Sequence, residues 1–156
     1  MKMRLAVLVV ALVLASSARA DVGLNIYGFS WHIDGDKARA EKADNWINPG
    51  LGVRYRVPGE TFDYFFDAGA YRDSGRNTAV LAGGAVHWRA TQSARLGLAL
   101  VMLNSKTYNG GDTFVAPLPV AAWEFRSVTF NMVWMPKVRD INGINTLGFW
   151  LTYWPR

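Results

Sequence analysis

From residue 21 onward, apolar and polar residues alternate with a period of two in segments of about ten residues. No segment there reaches 18 consecutive apolar residues. This pattern excludes a membrane helix and predicts strands with one apolar and one polar face. Strands are expected at Val22–Ile33, Gly50–Val57, Phe62–Arg72, Thr78–Arg89, Ala94–Asn104, Thr113–Trp123, Val128–Met135 and Ile144–Trp154. The bulky face carries Leu51, Val53 and Tyr55, then Phe62, Tyr64 and Phe66, then Leu96, Leu98 and Leu100. The other face carries Arg54, Arg56, Asp63, Asp67, His87, Arg95 and Asn131, with the small residues Gly69, Gly83, Ala85 and Ala99. A soluble ligand-carrying barrel would place its charges outside and its bulky residues inside. The reverse order here predicts an all-β fold, an eight-stranded antiparallel transmembrane β-barrel.

Residues 1–20 have the form of a secretory signal. Lys2 and Arg4 precede an apolar run from Leu5 to Ala15, and Ala18-Arg19-Ala20 suits a signal peptidase. Cleavage before Asp21 is expected, leaving residues 21–156 as one barrel domain of a bacterial outer membrane. No cysteine follows the signal, so no lipoprotein anchor is expected. The absence of cysteine from the whole chain excludes a disulfide scaffold and a thiolate nucleophile. The hydrophobic content of 51% excludes disorder. The net charge of +5 comes partly from the signal. Beyond residue 20 there are 14 basic and 12 acidic residues, which is no nucleic-acid footprint.

Connections alternate between short (58–61, 90–93, 124–126) and longer (34–48, 105–112, 136–143, with 73–77 intermediate), as in outer-membrane barrels. Loops after odd-numbered strands then share the outer end. His32 ends strand one, and Asp73 and Ser74 follow strand three, so all three gather at the outer rim. On strand one, Tyr27, Phe29 and Trp31 form the expected outer face, leaving Ser30 and His32 inward. Asp73 continues the inward set of Asp63, Asp67, Gly69 and Tyr71. A histidine beside a hydroxyl and a carboxylate is equipment for acyl transfer, though such residues also serve as plain polar loop residues. His87 is expected to be structural.

Arg54 and Arg56 are expected to pair with Asp63 and Asp67 across the ladder. Below the rim, Gly69, Gly83, Ala85, Ala99 and Val101 leave apolar room above a polar plug, suited to an acyl chain. Pro117 and Pro119 in strand six and Pro136 after strand seven lack an amide hydrogen. They either weaken the seam between these strands, admitting a lipid sideways, or only shape the rim.

The order Trp31-His32, Asn48-Pro49-Gly50-Leu51-Gly52, Asp73-Ser74, Leu96-Gly97-Leu98, Pro117-Leu118-Pro119-Val120 and Val128-Thr129-Phe130-Asn131-Met132, with Pro136 after it, resembles the PagP family of lipid A palmitoyltransferases. The resemblance covers nearly the whole chain after residue 20. It implies an enzyme that moves an acyl chain from a phospholipid to a hydroxyl of lipid A, with no cofactor and no metal. His32, Asp73 and Ser74 match the family's catalytic residues. On this reading His32 is the general base, Asp73 stabilises its imidazolium, and Ser74 polarises the ester or holds the oxyanion. Pro117, Pro119 and Pro136 match its lipid gate, and Ala85 falls where the family has a glycine floor to the acyl pocket. An alanine there implies a preferred chain shorter than palmitate. The family's N-terminal amphipathic helix has no counterpart, because strand one starts at the expected cleavage site. The partners implied are membrane lipids, and a closed barrel without a free edge predicts a monomer. Two other readings stand beside this one: a non-catalytic structural or lipid-binding barrel, and a lipid A deacylase.

Overall fold

The computed structural model describes residues 21–155, so the expected signal at 1–20 lies outside the described residues. The strands are β1 (Asp21–His32), β2 (Ile47–Val57), β3 (Phe62–Arg72), β4 (Thr78–Arg89), β5 (Ala94–Asn104), β6 (Phe114–Phe125), β7 (Val128–Met135) and β8 (Thr146–Tyr153). Each pairs antiparallel with the next, and β1 pairs with β8 to close the barrel. The alternation had placed every strand within a few residues. What it did not reveal is a short helix, α1 (Gly35–Ala40), in the first long loop. Ala38 of α1 packs with Ala43 and Ile144, fastening this loop to the last one.

One end of the barrel carries tight turns and the other the long loops. The outer face is apolar around the circumference, with residues such as Leu51, Leu100 and Val115 more than half exposed. Aromatic residues ring both ends. Trp31, Trp46 and Trp134 stand at the loop end, and Trp88, Trp123 and Phe125 at the turn end.

The turn-end half of the lumen is filled by paired charges. Arg54 donates to both oxygens of Asp67, at 2.8 and 2.9 Å, and to Asn131 at 2.7 Å. Its guanidinium lies 4.8 Å from the Phe65 ring centre. Asn25 donates to Asp67, and Thr152 donates to Asn25. Asp63 is fully buried between Arg89 and Arg95, and Arg95 and Arg56 both reach Glu124. Only half of the expected pairing therefore occurs. Arg54 stands opposite Asp67 in the β2–β3 register, but Arg56 stands opposite Phe65. Asp63 lies past the last β2–β3 pair, so it finds its arginines on β4 and β5 instead.

The expected outward face of Tyr27 is corrected by a bulge. Between Tyr27 and Phe29, β1 advances two residues while β8 advances one, from Trp150 to Phe149. Gly28 is the extra residue, and the side-chain alternation inverts across it. Gly23, Asn25 and Tyr27 thus point inward below it, and Ser30 and His32 above it. Without the bulge, His32 would face outward.

Tyr27 also fills the space that Gly69 was expected to leave open. A Cβ on Gly69 would fall 2.6 Å from the Tyr27 hydroxyl and 2.9 Å from Gly52 Cα. The inward side of Gly83 is taken by the β5 backbone at Leu100 and Val101. Neither glycine lines the cavity. Gly69→Ala is expected to destabilise the barrel by about 1–3 kcal/mol, because overpacking must displace backbone here. A lowered urea midpoint for the refolded protein checks this.

Candidate active site

His32 and Ser74 are 42 residues apart and come together at the loop end. His32 Nε2 and Ser74 Oγ lie 2.8 Å apart, in hydrogen-bonding contact. The β1 bulge turns His32 inward. Ser74 is held by the tight 73–77 loop, in which Asp73 donates its backbone N–H to Asn77 O at 2.8 Å. Loop one clamps it further: Asn45 donates its backbone N–H to Ser74 O, and its side-chain amide donates to Asp73 O. Ser30 Oγ stands 3.4 Å from Ser74 Oγ.

Asp73 does not join the pair. Its side chain is fully buried, accepting from the Asn77 N–H at 2.9 Å and from the Ser105 hydroxyl. No described hydrogen bond links it to His32. The strand ends at Arg72, but Asp73 keeps the inward direction and stays buried, with its carboxylate turned to its own loop and to Ser105. The carboxylate ties the Ser74 loop to the loop after β5, and this replaces the expected role of steering an imidazolium. Ser105 was legible, since it continues the inward alternation of Arg95, Gly97, Ala99, Val101 and Leu103. Tyr108 had no such signal. It is buried beside Ser74 in an irregular loop. Burial first, and the Asp73 carboxylate second, push its phenol up, so it stays a protonated donor.

Ser74 divides two spaces. Below it a cavity of about 110 Å³ runs down the lumen, with apolar walls that include Leu81, Ala99, Val101 and Leu118. Ala85, His87, Arg54 and Asp67 line its part toward the turn end. His87 is buried with its ring against Phe65, 4.5 Å between centres. Ala85 stands opposite Phe65, six residues below Tyr71 on β3. At about 3.3 Å per residue that is about 20 Å of strand. Above Ser74 a smaller crevice of about 30 Å³ is lined by His32, Ser74, Tyr108 and Thr146.

The wall opens between β6 and β7. These strands pair only from Val120↔Val133 to Phe125↔Val128, at the turn end. Phe114–Pro119 pair with β5 alone. Pro117 and Pro119 lie in this free stretch, where they have no N–H to leave unsatisfied. A cavity of about 250 Å³ fills the opening, lined by Pro117 and Pro136 among others. Pro119 lies in the same free stretch but outside that lining.

Among the described residues no group of three metal-ligating side chains gathers. A scan against models of known protein families finds no match, and a search of curated proteins finds no relative.

Proposed function

We propose that this protein is an outer-membrane enzyme of the PagP type, moving an acyl chain from a phospholipid to a hydroxyl of lipid A. The observation that carries this reading is the His32–Ser74 contact at the mouth of an apolar cavity. The apolar belt and the two aromatic rings support insertion in a bilayer, with the long loops outward.

The two spaces around Ser74 give each substrate a place. The donor chain lies in the lumen cavity, and its ester carbonyl reaches Ser74. His32 Nε2 takes the Ser74 proton as Oγ attacks, and the proton passes to the departing glycerol oxygen. The acceptor hydroxyl enters from the rim crevice. His32 takes its proton, the acyl group passes from Ser74 Oγ to it, and the imidazolium returns the proton to Ser74 Oγ. Tyr108 stands at the same junction as a neutral donor for the developing oxyanion.

Mass spectrometry of lipid A from cells making the protein is the test. Acyl transfer adds the mass of one chain. The His–Ser contact equally favours a second reading, hydrolysis of a lipid A ester with water as acceptor, which removes the mass of one chain. An unchanged lipid A despite a folded, inserted barrel would refute both and leave a binding or structural barrel.

Donor length follows from the floor. One buried methylene is worth about 0.8 kcal/mol, and a methyl on residue 85 takes the room of roughly one carbon. The enzyme is expected to prefer a saturated chain shorter than palmitate. Ala85→Gly should lengthen the preferred chain and Ala85→Met shorten it, read as product lengths from mixed-chain phospholipids.

A further inference from the structure

Buried polar side chains normally find a hydrogen-bond partner, because an unpaired donor or acceptor away from water is costly. Among the described residues, five buried side-chain atoms have none: Tyr27 Oη, Asn48 Oδ1, both ring nitrogens of His87 and Trp150 Nε1. All four of these residues line the lumen cavity. The unpaired atoms are therefore gathered in one space with apolar walls and not scattered through the barrel.

His87 is 1% exposed, and room for its ring is built into the next strand, since a Cβ on Gly97 would fall 2.8 Å from its Cδ2. Asp63 stands opposite His87 in the β3–β4 register, but both of its oxygens accept from Arg89 and Arg95 instead. Trp150 stands on β8, across the closed ring from β4. The Arg54 guanidinium links the two levels, 5.5 Å from the Trp150 ring centre and 4.8 Å from that of Phe65, against which His87 packs. The charges here are already matched. Arg54 donates to Asp67 and Asn131, and Asn25 donates to the same carboxylate. This end of the cavity therefore suits a neutral polar group and not an ionised one.

The unpaired atoms are complementary to a hydroxyl. The indole N–H only donates, and a neutral imidazole donates from one nitrogen and accepts at the other. A hydroxyl both accepts and donates, so it can bond to either wall. A methyl group can do neither. We propose that the turn end of the lumen cavity is a subsite for a hydroxyl at the far end of an apolar chain, held by His87 and Trp150. The ligand class is an ω-hydroxylated acyl chain. This rests on reading the lumen as an acyl-chain site and adds what the end of the chain meets there.

The test uses the protein refolded in detergent, with ω-hydroxydodecanoic, ω-hydroxytetradecanoic and ω-hydroxyhexadecanoic acids. Each is paired with the methyl-ended acid one carbon longer, which has the same number of heavy atoms. Native mass spectrometry reads the ratio of hydroxyl-ended to methyl-ended acid retained. Differences in micelle partition cancel when a variant's ratio is compared with that of the wild type. At the chain length that reaches His87, the ratio should fall about tenfold in the double variant His87→Leu, Trp150→Phe, the scale of one or two net hydrogen bonds. Trp150→Phe alone keeps an aromatic ring and removes the N–H. It should lower the ratio about threefold, and it decides the matter if the double variant does not fold. Damage to packing would lower retention of both acids and leave the ratio in place. A ratio unchanged by the variants at every chain length, with the methyl-ended acids still retained, would overturn the proposal and leave the lumen as a plain acyl-chain site. Retention of neither acid would overturn the acyl-chain reading of the lumen and the proposal with it.

Discussion

His32→Ala is expected to lower the proposed acyl transfer by about 10³-fold, within the range that a positioned proton acceptor contributes. The reason is the single contact at 2.8 Å from Nε2 to Ser74 Oγ, which alanine removes without touching the cavity below. Ser74→Ala should cost a similar factor, and the double variant little more, because the two side chains act on one proton. Phospholipid turnover in detergent, read as lysolipid release, measures all three. Fold is checked in parallel by the heat-dependent gel mobility of the barrel. A loss of only a few fold in His32→Ala would remove the imidazole from the chemistry. Asp73→Asn makes a useful contrast. Its carboxylate meets Asn77 and Ser105 and not the imidazole, so its loss should act through the position of the Ser74 loop. Activity and thermal stability should then fall together, whereas His32→Ala should leave stability in place.

The second large effect is on stability. Asp63→Ala is expected to cost about 3–5 kcal/mol, as breaking a buried ion pair from one side does. Asp63 is fully buried and accepts from Arg89 Nε at 3.0 and 3.1 Å, from Arg95 Nε at 3.4 Å and from the Gly59 N–H at 3.3 Å. Removing it leaves Arg95, itself buried, with only Glu124 as a charged partner. The surrounding strands offer no replacement carboxylate, since the neighbouring inward residues are His87 and Gly97. Urea unfolding of the refolded protein in lipid vesicles gives the comparison. Asp36→Ala, which breaks the exposed Arg39–Asp36 pair, should leave the midpoint unchanged. A midpoint for Asp63→Ala close to the wild type would mean that solvent reaches the turn-end charges.

Alternation by itself determined the strands and most of their faces. A strand's side chains must alternate, and an apolar exterior leaves the polar set only the lumen. The same count carried on past β5 reaches Ser105, and a count of loops set His32 and Ser74 at one end. The tertiary structure decided everything that depends on pairing with two neighbours at once. Tyr27 turned inward because β1 needs one more residue than β8 over the same length, a mismatch that no window of β1 alone displays. Asp73 stays inward, but its carboxylate is taken by the Asn77 N–H and the Ser105 hydroxyl, partners that meet it only when the loops after β3 and β5 come together. The prolines of β6 marked where a seam was weak. Whether that weakness left a bare slit or a roofed cavity depends on the bond from the Asn109 N–H to Ile141 O, which ties together two loops far apart in the chain. Local periodicity encodes direction at each residue. Register, bulge and roof are properties of the closed ring, so they appear only when all eight strands share it.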